Sequence, residues 1–238
     1  MRILVVNDDG VLAPGITALA ETASRLGEVW VVAPVEQCSG MSQKLTIFDE
    51  LHLRPVEFPV PVRGAWSLRG TPADCVKIAL DHLLDFRPDY VFSGVNNGWN
   101  AGFDIAYSGT VGACYEAVMN GVPAIAFSAK WDSDLSLARA MMEPLARELI
   151  ALGQAPGEIW NVNFPGGSVE ECRGVLYDRP IAPVPAYRGV LSFRHEGETR
   201  ILKQTGVPST REEVPDGTDI AAVLDGYVSI GKIKCPVL

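Results

Sequence analysis

The chain has no apolar run approaching the roughly 20 residues that cross a bilayer as a helix. Its first residues lead straight into a strand-like segment, with no charged n-region and apolar h-region, so no secretory leader is expected. Nor is there a basic excess: 20 Lys and Arg stand against 29 Asp and Glu, a formal charge of −9. That balance argues against a surface built to coat a nucleic-acid polymer. It leaves room for a small anionic substrate, because one local metal ion reverses the field inside an acidic protein. Histidine is scarce. His52 lies in a strand-like stretch, His82 on the polar side of a helix and His195 in a charged segment. These read as solvated or structural, and no Ser-His-Asp or Cys-His arrangement can be assembled from them. The five cysteines, Cys38, Cys75, Cys114, Cys172 and Cys235, are odd in number and never spaced C-x-x-C. Their pattern argues against a zinc ribbon or a disulfide framework and suits a reducing compartment. Cys75 and Cys114 fall inside expected helices, where a thiol is a small core residue. Internal repeats and low-complexity tracts are missing too. The expectation is a soluble cytoplasmic protein with no membrane or nucleic-acid partner. Its 238 residues suit one large domain, or a domain with an appendage.

What is present is an alternation of strand and helix patterns. Ile3–Val6 is a short apolar run of the kind buried in parallel sheets. Residues 15–26 carry helical spacing (Ile16, Leu19, Ala20, Leu26), with Gly27 as a candidate cap. Glu28–Ala33 reads as a second strand closed by Pro34. Thr71-Pro72-Ala73-Asp74 opens a helix, with Thr as cap, Pro at the first position and an acid in the first turn. Its apolar stripe is Ala73, Val76, Leu80, Leu83 and Leu84. Strands follow at 90–92, 124–127 and 159–164, with helices at 110–120 and 135–152. Such alternation predicts an α/β fold, a doubly wound, mostly parallel sheet with helices on both faces. After Gly174 the texture changes to short, proline-punctuated, strand-like pieces. The expected division is therefore an α/β catalytic core over 1–173 and a β-rich extension over 174–238. That extension, with apolar pieces such as Val190-Leu191 and Ile220–Leu224, is expected to serve oligomerisation and to cover the site.

Three loops fall at the carboxyl ends of expected strands, where open α/β sheets bind ligands. The first is Asn7-Asp8-Asp9-Gly10, the second Glu36-Gln37-Cys38-Ser39-Gly40-Met41-Ser42. The third runs from Ser93 through Asn96-Asn97-Gly98 to Ser108-Gly109-Thr110. Adjacent carboxylates repel unless a cation lies between them. Asp8 and Asp9, with the Ser39 hydroxyl and the Asn96 amide oxygen, make an oxygen-only set suited to Mg²⁺ or Mn²⁺. Ser108-Gly109-Thr110 at a helix start offers free N–H groups to an anion. Each piece also has a plain reading: Asp8 or Asp9 as a turn starter, Ser39, Gly40 and Ser42 as an ordinary turn, Thr110 as an N-cap, the Asn/Gly stretch as a surface loop. Three alternatives share parts of the pattern. A receiver-like domain also ends its first strand in acids, and Lys130 mimics its lysine, but no Asp closes a third strand and the chain is too long. An aspartyl-phosphate phosphatase needs its acids two residues apart. A catalytically silent homologue that binds phosphate ligands would keep the same residues.

These blocks together resemble the SurE survival-protein family, metal-dependent 5′/3′-nucleotidases. The resemblance lies in Ile3–Gly10, in Ala33-Pro34 followed by Cys38–Ser42 and Leu45-Thr46, and in Gly70–Val76. It continues through Ser93–Gly98 with Asn100 and Gly102, Asp104–Ala113, and Asn161–Pro165, in the family's order. It implies a Rossmann-like core, one divalent cation per subunit (Mg²⁺ or Mn²⁺), and hydrolysis of nucleoside monophosphates, with short polyphosphate as a further substrate. Position by position, Asp8 and Asp9 are the expected catalytic pair, and Asp8, Asp9, Ser39 and Asn96 the expected metal ligands. Gly40, Ser42, Asn97, Ser108, Gly109 and Thr110 are expected around the substrate phosphate. A homodimer or homotetramer is implied. The departures lie late: Tyr227-Val228-Ser229-Ile230 is followed by Gly231-Lys232-Ile233-Lys234 rather than the family's usual ending, and the aromatic pair expected near Tyr187-Arg188-Gly189 is missing.

Overall fold

The computed structural model describes residues 1–238. In chain order the elements are β1 (Arg2–Val6), α1 (Pro14–Ser24), β2 (Glu28–Pro34), β3 (Leu53–Pro55), β4 (Gly64–Leu68), α2 (Pro72–Ile78), β5 (Tyr90–Asn97) and α3 (Gly109–Met119). They continue with β6 (Ala124–Ala129), α4 (Ser136–Leu152), β7 (Glu158–Phe164), β8 (Val175–Tyr177), β9 (Tyr187–Glu196), β10 (Thr199–Pro208), α5 (Asp219–Leu224) and β11 (Val228–Lys234).

Nine strands form one sheet in the order β3-β4-β2-β1-β5-β6-β7-β11-β8. The run from β4 to β7 is parallel throughout. Alternate residues of β1 show why the sheet needs cover on both faces. Ile3 and Val5 pack with α1 and α4, around Ile16, Leu19, Met142 and Leu149. Leu4 and Val6 pack with α2 and α3, around Val76, Val111 and Ala117. From β1 the chain winds outward to β2 and β4, then returns to β5 and winds the other way through β6 and β7. The winding therefore reverses between β1 and β5, and the crevice beyond their carboxyl ends is where such a sheet binds ligands.

Several expectations need correction. The first helix ends at Ser24, with Arg25 as its C-cap; Gly27 lies two residues further on, where its N–H donates to the Ala23 carbonyl at 3.0 Å. A side chain there is excluded by crowding, since a Cβ would sit 2.0 Å from the Met1 carbonyl oxygen. Thr71 and Asp74 form the expected capping box, but the α-helix stops at Ile78 and a wider turn carries Ala79–Leu83. The segment after Phe92 is not wholly loop. Strand β5 runs on to Asn97, resuming its pairing with β6 after a register shift between Ser93 and Asn96. Strand β3 follows His52 in the stretch read as strand-like, whereas β4, which lacks a long apolar run, was not expected.

The boundary at 173/174 does not divide the structure. Strand β11 enters the main sheet antiparallel to β7, and β8 pairs with β11 at the edge. Val228 and Ile230 belong to the principal core. Ile220–Leu224 is helix α5, whose apolar side packs with Trp99, Ala101 and Ala182 of the same chain. Proline punctuation obscured a strand and a helix that complete the fold. What stands outside the sheet is the hairpin β9–β10, a separate antiparallel pair from Tyr187 to Pro208.

Candidate active site

Strand β1 delivers Asp8 and Asp9 to the crevice, and β5 delivers Asn96 and Asn97 beside them. The loop after β2 is tied to the first turn, as the Cys38 N–H donates to the Asp8 carbonyl at 2.7 Å. That bond carries Ser39 and Gly40 into the same crevice. Asp8, Ser39, Gly40, Asn96, Asn97 and Ser108 all line one cavity of about 890 Å³.

Asp8 is the buried member of the pair, 3% exposed. Thr110 Oγ1 donates to its Oδ1 at 2.7 Å. Burial first, and then repulsion from Asp9, push the Asp8 carboxyl up to about 7. The Thr110 hydroxyl and the backbone N–H groups of Asp8 and Thr110 oppose that rise. Asp9 is less enclosed. Its Oδ2 accepts the Asn97 N–H at 3.0 Å and its Oδ1 the Gln37 amide at 3.3 Å; burial still raises its pKa. No basic side chain acts on either carboxyl.

Gln37 was not singled out from sequence, yet it bridges two of the expected ligands. Its Nε2 reaches Ser39 Oγ at 3.0 Å as well as Asp9. A glutamine in a polar loop carries no signal of its own; only the folded geometry gives it a role. Asn96 donates through Nδ2 to the Gly98 carbonyl at 2.8 Å, which fixes its amide and leaves Oδ1 to face a ligand. Four oxygen donors without a cationic neighbour fit a hard divalent cation and do not resemble the sulfur and imidazole sets that hold zinc or copper.

Not every expected residue faces the cavity. Ser108, not Thr110, is the N-cap of α3, its Oγ accepting the Val111 N–H at 3.0 Å. Thr110 is fully buried and spends its hydroxyl on Asp8, so the anion held at this helix start is the Asp8 carboxylate. Gly109 lies behind the same carboxylate: a Cβ there would stand 3.0 Å from Asp8 Cβ. Ser42 turns away from the carboxylates, its hydroxyl donating to the Ala106 carbonyl at 2.8 Å and its N–H to the Tyr107 carbonyl at 2.9 Å. It pins the segment before Ser108. The stretch read as a loop is further clamped at Asn100, whose carbonyl accepts from both Asn161 and Asn163 Nδ2 and whose N–H donates to Asn163 Oδ1.

The comparison that decides the family is a match of the survival protein SurE model to residues 3–182. The chain belongs to the SurE family. It is 38% identical over 226 residues to the 5′-nucleotidase SurE 2 of Chlamydia caviae, an overlap of 90% of this chain and 78% of that protein. The crystal structure of SurE protein from Aquifex aeolicus matches with a TM-score of 0.84 and 32% identity, over 100% of this chain and 95% of that one. The SurE match thus extends over β8 to β11, which the sequence alone had set apart. Membership of the SurE family also removes the receiver-like and aspartyl-phosphate readings. No helix is long and apolar enough to cross a membrane.

Proposed function

We propose that the protein is a metal-dependent nucleotidase that hydrolyses nucleoside monophosphates to nucleoside and phosphate. The observation that carries this is that Asp8, Ser39 and Asn96 line one cavity at the reversal point of the sheet, with Asp9 joined to Ser39 through Gln37, in a chain of the SurE family. The relative from Chlamydia caviae is named a 5′-nucleotidase. Nothing favours a catalytically silent homologue in this family match.

Asp8, Asp9, Ser39 and Asn96 would hold one Mg²⁺ or Mn²⁺. What such a cation supplies when bound is positive charge on the phosphoryl oxygens, which opens phosphorus to attack by water. The residues of the chain do the positioning. Thr110 and the start of α3 favour the charged form of Asp8 and offset part of the burial that disfavours it. Gln37 holds Asp9 and Ser39 in one orientation. Gly40, Asn97 and Ser108 line the wall where the phosphate is placed. Asn97 is itself fixed, its Oδ1 accepting the Asp132 N–H at 2.8 Å, so its Nδ2 is the free donor. The hairpin β9–β10 covers the cavity through Tyr187, Gly189 and the 203–206 segment. One face of it carries Leu191, Phe193 and Leu202 exposed, which supports a homodimer or homotetramer built on that hairpin.

A panel of nucleoside monophosphates, assayed for free phosphate with Mg²⁺ or Mn²⁺, tests the reading. Catalytic release of phosphate is expected. A stoichiometric phosphoryl-protein without turnover, or no reaction with any nucleotide, would refute it.

A further inference from the structure

The cavity over Asp8 is larger than a phosphate needs. At about 890 Å³ it lies in the range that encloses a whole small-molecule ligand. Most of its lining is polar, yet two large aromatic side chains stand exposed in it, Trp131 at 57% and Tyr107 at 63%. A tryptophan ring beside a polar site offers a ligand a flat apolar face with a polar edge.

The position of Trp131 is well defined. It follows β6 in a turn whose next residue, Asp132, donates its N–H to Asn97 Oδ1. Its ring lies over Gly98: a methyl group built there would touch the ring at 3.7 Å, the Tyr187 hydroxyl at 3.7 Å and the Asn96 amide nitrogen at 3.8 Å. The Tyr187 hydroxyl in turn accepts the Trp99 N–H at 3.1 Å. The indole therefore stands beside Asn96, one of the four oxygen donors, on a turn fastened to the same strand end. Across the cavity β10 presents Lys203, Gln204 and Thr205, polar groups able to meet the edge of a ring.

We propose that Trp131 is the platform on which the nucleobase stacks, and so the residue that makes the site prefer nucleotides over base-free phosphate monoesters. This rests on the nucleotidase reading and deepens it. Stacking on an aromatic face tolerates any base, because every base has a π-face. The expected substrate class is therefore broad among nucleoside monophosphates, with purines favoured by their larger face. Removing a stacking ring of this kind weakens binding by about tenfold or more.

The test compares wild type, Trp131→Ala and Trp131→Phe, each loaded with Mn²⁺, on adenosine 5′-monophosphate and ribose 5-phosphate. The ratio of kcat/KM between the two substrates is expected to fall about tenfold in Trp131→Ala, through KM, and to be largely kept in Trp131→Phe. Adenosine alone is expected to quench tryptophan emission in wild type, and the quench to vanish in Trp131→Ala. An unchanged substrate ratio or a persisting quench in Trp131→Ala overturns the proposal. The quench needs no turnover, so a wild type that hydrolyses neither ester would count against the nucleotidase reading while the stacking is still decided.

Discussion

At the scale of single residues, Asp8 carries a cost to folding that a bound cation would remove. With no cation bound, burial and Asp9 hold its carboxyl near 7, whereas the unfolded chain titrates it in the ordinary carboxylate range near 4. The folded state thus keeps a proton that the unfolded state has lost, and stability falls as pH rises between those values. A divalent cation binds the charged form and removes the cost. Thermal unfolding in EDTA is expected to show a midpoint that drops from about pH 4 to about pH 8, with saturating Mn²⁺ restoring it at the higher pH and changing little at the lower. A cation effect of equal size at both would contradict this. Thr110 and Gly109 act on the same carboxylate. Thr110→Val keeps the shape but deletes the donor to Asp8, and should cost about 2 kcal/mol of stability in urea unfolding and weaken cation binding. Gly109→Val should displace Asp8 and lower cation affinity measured by calorimetry, rather than raise KM alone. Unchanged cation affinity in both variants would show that neither residue supports Asp8.

At the scale of elements, the parallel strands, α1, α3 and the capped start of α2 could be read from apolar runs and cap residues, because each is set by local spacing. The extent of β5 and the role of Asn161 and Asn163 could not, since they depend on pairing partners far along the chain. Asn163 illustrates the point. In sequence it is a polar residue at a strand end; in the fold it is buried and satisfies both the N–H and the carbonyl of Asn100. Asn163→Ala leaves a buried N–H unpaired, at about 1–3 kcal/mol. It should also loosen the segment from Asn97 to Ser108 and raise KM more than it lowers kcat. A variant of wild-type stability and KM would show that the clamp is not needed. The same limit explains the site. Asp8, Asp9, Ser39 and Asn96 lie in polar stretches at or after strand ends that stand out in the sequence, whereas Gln37, Trp131 and Tyr187 acquire meaning only when distant segments meet.

At the scale of the whole molecule, the second half of the chain proved to be two things. Strand β11 and helix α5 finish the fold, while the hairpin β9–β10 stands outside the main sheet with Leu191, Phe193 and Leu202 exposed on one of its faces. A dimer or tetramer joined through that face is expected, with Leu191→Lys together with Leu202→Lys shifting light scattering toward the monomer. A wild-type monomer at micromolar concentration would contradict that. The central proposal is a nucleotidase whose activity depends on Asp8, Asp9 and the cation they would hold. The most direct measurement is phosphate release from a nucleoside monophosphate by wild type and Asp9→Asn, each with Mn²⁺ and with EDTA. The account predicts turnover only for wild type with the cation, and a loss of orders of magnitude in Asp9→Asn with the fold intact. Full activity in EDTA, or in Asp9→Asn, would contradict it.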